Sequence, residues 1–158
     1  MTMKRALGLI ISWALAAGCA VCIFLFSAQN GAESAAVSGG MMGPFAHILT
    51  LLFGEQGHNV FRKFAHFFIF AALMFFVYHA LFRTRKTHRL SAVLPFILCV
   101  LYAVSDEVHQ LFVPERACRI FDVGVDALGC VIGGLCFYCL AKICLHISQN
   151  HKKKEHTQ

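Results

Sequence analysis

Apolar residues along the chain gather into four long runs, separated by short polar, glycine-rich or basic segments. A bilayer's hydrocarbon core is about 30 Å thick, so a helix needs about 20 apolar residues to cross it. Each run therefore predicts a membrane span, its backbone groups bonded within the segment because lipid offers no partners. The first covers 6–26 and follows Lys4 and Arg5. A secretory leader begins in the same way, but its apolar stretch is only about 7–15 residues long. Ala17-Gly18-Cys19 faintly resembles a lipoprotein box, yet apolar residues continue beyond it, so the run reads as a span. The second span covers 61–82 and opens with Arg62, Lys63 and His66. The third covers 90–112: it is apolar as far as Val104, then carries Ser105, Asp106, Glu107, His109 and Gln110 before Pro114 breaks it. The fourth covers 120–147, with Asp122 and Asp126 near its start. Lys142 lies near its far end, where a long side chain can snorkel to the interface.

Between the first two spans the chain turns to Gly, Ser, Ala and Asn, a loop composition. Within it Phe45, Ile48, Leu49, Leu52 and Phe53 recur at helical spacing, with Pro44 suited to a first turn and Gly54 to a stop. This predicts a short amphipathic helix, lying on the membrane surface or packed on the span bundle. The fold expected is an all-α membrane protein of four transmembrane helices, forming one domain over 1–150. A basic, disordered tail follows over 151–158.

Composition agrees with this pattern. The 158 residues are 58% hydrophobic and only 14% charged, too few charges for a soluble surface. The net charge of +6 would suit a nucleic-acid partner if it lay on one soluble face. Here the charges flank apolar runs, so no nucleic-acid partner is expected and they indicate orientation instead. With the amino terminus inside, ten of the fourteen basic residues fall on the cytoplasmic side. The outer side holds Arg62, Lys63, Arg116 and Arg119, set among Asp106, Glu107, Glu115, Asp122 and Asp126, so both termini are expected inside. Of the eight cysteines, all but Cys118 lie in apolar stretches, where cysteine acts as a small hydrophobe. The C-x-x-C pairs Cys19/Cys22 and Cys136/Cys139 lack a redox setting, and no metal or cofactor is expected.

Candidate chemistry concentrates where the third and fourth spans approach their outer loop. Asp106, His109 and Gln110 share a helical face by the i, i+3, i+4 rule. Glu107 falls off that face. Asp122, Asp126, Gly129 and Gly133 form one stripe on the fourth span, and the Gly129-x-x-x-Gly133 spacing lets another helix, or another copy of the chain, approach closely. Arg62 and His66 share a face of the second span. The apolar part of the third span covers only roughly 22 Å at 1.5 Å per residue, which would sink Asp106 into the outer leaflet. Ionisable groups at that depth cost about 2.5–3.5 kcal/mol each on insertion scales and face a bundle interior. A polar, outward-facing pocket is expected, although Arg62 with Asp106 or Asp126 would also serve as a purely structural ion pair.

At these residues the chain resembles the VanZ-like family of small bacterial membrane proteins, named after a teicoplanin-resistance determinant. The resemblance spans about Leu7 to Ile147. It rests on Phe26-Ser27-Ala28-Gln29, Arg62-Lys63-x-x-His66-Phe67, Tyr102-Ala103-x-x-Asp106-Glu107-x-His109-Gln110-x-Phe112-x-Pro114-x-Arg116, and Asp122-x-x-x-Asp126-x-x-Gly129. Two positions depart from the family's usual pattern: Glu115 stands where Gly is typical, and Asp126 where Asn is frequent. The resemblance implies a multi-pass protein of the bacterial cell membrane with low-level resistance to lipoglycopeptides, and it adds Ser27 and Gln29 to the candidate ligand-binding set.

Three functions compete. A non-enzymatic envelope protein would bind the head group of a membrane lipid or lipid-linked cell-wall precursor, with Arg62, Lys63 and Arg116 on phosphate or carboxylate. A membrane hydrolase or transferase would use Asp106, Glu107 and His109 as acid and base, or with His66 and Asp126 as metal ligands. A transporter would want polar groups at the midplane, whereas these cluster near one face.

Overall fold

The computed structural model describes residues 3–30, 36, 37, 40, 48, 51–54, 57–84, 91–114, 116 and 119–155. Four helices account for most of them: α1 Met3–Ser27, α2 Gly57–Thr84, α3 Val93–Gln110 and α4 Ile120–Glu155. Each contains a stretch long and apolar enough to cross a bilayer, namely Ala6–Ser27, Asn59–Thr84, Val93–Gln110 and Ile120–Asn150. Large apolar side chains cover the outside, among them Ile10, Phe68, Leu101 and Leu135. That surface suits lipid rather than water.

Helix ends follow local chemistry. Pro95 falls in the first turn of α3, where its missing N–H would have no intrahelical partner anyway. At the other end the N–H groups of Leu111, Phe112 and Val113 reach the carbonyls of Val108, His109 and Gln110, tightening the chain into 3₁₀ geometry ahead of Pro114. One expectation needs correction: α4 runs on through Glu155, so 151–155 are helical where a disordered tail was expected. No Gly or Pro interrupts 135–155, and its Lys, Gln and Glu are good helix formers. Of the expected amphipathic helix, Ile48 and residues 51–53 are helical and Gly54 has a positive φ of 58°; Pro44, Phe45 and Leu49 lie outside the described residues.

The helices alternate in direction, so the C-terminal ends of α1 and α3 meet the N-terminal ends of α2 and α4 at one end of the bundle. α2 is central and packs on all three others, most extensively on α4. Glycine explains that approach. A methyl placed on Gly129 would run into the Phe67 carbonyl, and one on Gly133 into the Ala71 carbonyl. The small-residue stripe thus admits the backbone of α2 and is occupied within one chain. Further along, Phe137 of α4 inserts among Phe75, Tyr78 and Phe82 of α2, with ring centroids 4.5–5.8 Å apart. Where α1 crosses α3, the Tyr102 hydroxyl donates to the Ala20 carbonyl at 2.7 Å.

Candidate functional site

Seen from the C-terminal end of α1, the site begins with a buried three-residue network. Ser27 Oγ donates to Asp106 Oδ2 at 2.8 Å, and Gln110 Nε2 donates to the same oxygen at 3.0 Å. All three side chains are 4% exposed or less, so the carboxylate depends on these donors for solvation. Because α1 ends here, its last carbonyls need partners. Arg116 supplies them: Nε donates to the Gln29 carbonyl and Nη2 to the Phe26 carbonyl, each at 3.0 Å. A cation at a helix C-terminus also meets the negative end of the dipole. Burial, and then the neighbouring Arg62, push the Arg116 guanidinium down to about 10, leaving it charged at neutral pH.

The second part joins α2 to α4. Lys63 pairs with Asp122 and also lies over the Phe121 ring, 4.9 Å from its centroid. One turn deeper, His66 Nδ1 stands 3.8 Å from Asp126 Oδ1, within ion-pair range but too long for a hydrogen bond. Asp126 is 1% exposed, and its Oδ2 has no hydrogen-bond partner among the described residues. The i, i+4 spacing of Asp122 and Asp126 matches that of Arg62 and His66, offset by one residue, so it is Lys63 that meets Asp122.

α3 needs a correction. Glu107 was expected to point away from the Asp106 face and His109 to share it. At 3.6 residues per turn, however, the centre of the Asp106/Gln110 stripe is roughly 80° from each of them. Packing on both sides decides the rest. Glu107 turns toward α2 and α4, is 3% exposed, and accepts from the Arg119 N–H at 2.9 Å. His109 turns toward α1 and stacks on Phe24 with centroids 4.8 Å apart. Asp106, Glu107 and His109 therefore project in three directions.

Two spaces open beside these residues. A polar recess is bounded by Arg62, Lys63 and His66 of α2, Glu107 and Gln110 of α3, and Asp122, Val125 and Asp126 of α4; its volume is about 10 Å³, room for roughly one water. A much larger apolar cavity of about 350 Å³ lies between α1 and α2, walled by residues such as Ile23, Phe26, Phe61, Phe68 and Ile69. Arg62 and His66 border both spaces, and Gln29 borders the cavity. Arg62 itself, half-buried, makes no hydrogen bond or ion pair among the described residues. No described group of three or more His, Cys, Asp or Glu is arranged to hold a metal ion.

Sequence reasoning missed a second polar contact at the opposite end of the bundle. Ser12 Oγ lies 2.7 Å from His79 Nδ1 and the same distance from the Gly8 carbonyl, while the Arg83 guanidinium crosses over Gly8. A histidine deep in an apolar run was the available signal, since such residues face the bundle interior.

Neither the curated proteins nor the solved structures offer a match to this chain. The VanZ/LLP1 family model matches residues 12–142, which take in Ser27, the Arg62–His66 turn, the Asp106–Arg116 block and the Asp122/Asp126 pair around which the site is built. The chain belongs to the VanZ-like family.

Proposed function

We propose that the protein is a non-catalytic receptor in the bacterial cell membrane, binding the anionic head group of a lipid or lipid-linked cell-wall precursor at the outer leaflet. The observation that carries this reading is the state of the cations. Lys63 is paired with Asp122, and Arg116 is held by main-chain carbonyls of α1. Arg62 makes no hydrogen bond or ion pair among the described residues, only longer-range contact with the charges of Asp122 and Glu107, and stands at the rim of a cavity large enough for a ligand. A half-buried guanidinium with no ion pair among the described residues favours an anion, and its planar fork suits the oxygens of phosphate or carboxylate.

The basic residues support the placement: with ten of fourteen on the other side, this end of the bundle faces outward. Glycopeptides act on that side of the membrane, so occupancy of a precursor head group there would confer low-level resistance to teicoplanin-type drugs. The hydrolase reading has less support, because of its proposed acid and base groups, Asp106, Glu107 and His109, only Glu107 borders the recess.

Expression in a susceptible host tests the proposal. Wild type should raise the minimal inhibitory concentration of teicoplanin. Arg62→Ala should abolish that effect with an unchanged amount of protein in the membrane. Resistance that survives the substitution removes Arg62 from the binding role.

A further inference from the structure

The polar recess and the apolar cavity share Arg62 and His66 but differ in everything else. Among the described residues the carboxylates bordering these spaces, Glu107, Asp122 and Asp126, all lie on the recess side. An anion approaching Arg62 from the recess meets that acidic wall and a space for about one water. Approached from the cavity, the same guanidinium stands beside Ile23, Phe26 and Ile69 in a volume of about 350 Å³, within the usual range for small-molecule pockets, about 300–1,000 Å³. Phe26 and Phe68, 37% and 65% exposed, carry the cavity walls onto the outer surface of the bundle between two spans. An occupant fitted to this arrangement is apolar over most of its length and anionic at one end.

We infer that the cavity between α1 and α2 seats the hydrocarbon chain of a lipid phosphate, whose phosphate is held at the mouth by Arg62 and His66. The inference rests on the head-group reading above and deepens it: the ligand is recognised by its chain as well as by its charge. Arg62 gives the phosphate charge-assisted bonds, in addition to the attraction its guanidinium already has from Asp122 and Glu107. The chain replaces contacts that neighbouring bilayer lipid would otherwise make with the cavity walls, so it contributes mainly through fit.

The full-length protein in nanodiscs of zwitterionic lipid provides the test, read by native mass spectrometry. The probes are a long-chain prenyl monophosphate, the matching prenol and inorganic phosphate. Wild type should bind the prenyl phosphate at least tenfold more tightly than either comparator. Arg62→Gln should remove that preference over the prenol. Ala65 borders the cavity, so Ala65→Trp, with the milder Ala65→Leu in case the larger ring disturbs folding, should bring prenyl phosphate down toward the level of inorganic phosphate. Wild-type binding by both Ala65 variants would overturn the cavity assignment while leaving the head-group reading intact. Wild-type binding by Arg62→Gln would overturn both. Equal occupancy by prenyl phosphate and prenol in the wild type would reduce the cavity to a resting place for bulk lipid.

Discussion

Ser27 illustrates how one hydroxyl can join two spans. Its bond to Asp106 links α1 to α3 across 79 residues of sequence, in a place from which water is excluded. Interhelical hydrogen bonds in membranes contribute about 0.6 kcal/mol on average and up to about 1.7 kcal/mol. The upper part of that range applies here, because Asp106 Oδ2 would keep only Gln110 as a donor. Ser27→Ala should therefore lower stability by about 1 kcal/mol in reversible unfolding from mixed micelles, whereas Ser105→Ala, on the exposed side of α3, should leave it unchanged. The candidates were legible at this scale because ionisable residues inside apolar runs are rare enough to be informative. Their partners were not. Lys63 rather than Arg62 reaches Asp122, and Glu107 rather than His109 reaches the recess. Adjacent positions on a helix differ by about 100° in direction, and only the neighbours' placement decides which of two similar side chains meets the opposite charge.

Among the elements, the contact of α2 with α4 depends on two glycines and is indifferent to others. Gly129→Ala and Gly133→Ala each drive a methyl into a carbonyl of α2, and the backbone cannot rotate aside as a side chain could. Each should cost about 1–3 kcal/mol, the usual penalty of overpacking. Gly124 and Gly18 have nothing within 4 Å of an added methyl, so alanine there should be neutral or stabilising by up to about 1 kcal/mol through helix propensity. Thermal aggregation of the detergent-solubilised variants separates the two groups. A uniform response at all four positions would show that propensity, not the helix approach, sets the effect. Run length and apolarity made the four helices readable in advance, since the bilayer fixes how long a span must be. Their ends were less readable: α4 outlasts its apolar run because nothing in 135–155 stops a helix, and hydropathy measures lipid compatibility rather than helix termination.

For the molecule as a whole, the unequal distribution of basic residues predicts which end faces outward. Alkaline phosphatase fused after Asn30 or Arg116 should be active, and fused after Thr84 or Asn150 inactive, because that enzyme matures only outside the cytoplasm. The reverse pattern would place the site at the inner leaflet and separate it from the reach of glycopeptides. The sequence by itself determined that the chain forms four apolar helices, that its basic residues lie unequally on the two sides, and that its polar groups gather toward one end of the bundle. Those properties follow from the cost of placing unpaired polar groups in hydrocarbon, and that cost can be read residue by residue. Only the tertiary structure decided which cations are paired, that the glycine stripe faces α2, and that the space of ligand size is the apolar cavity rather than the polar recess. Those outcomes depend on the rotation and separation of whole helices, which no single run of sequence specifies.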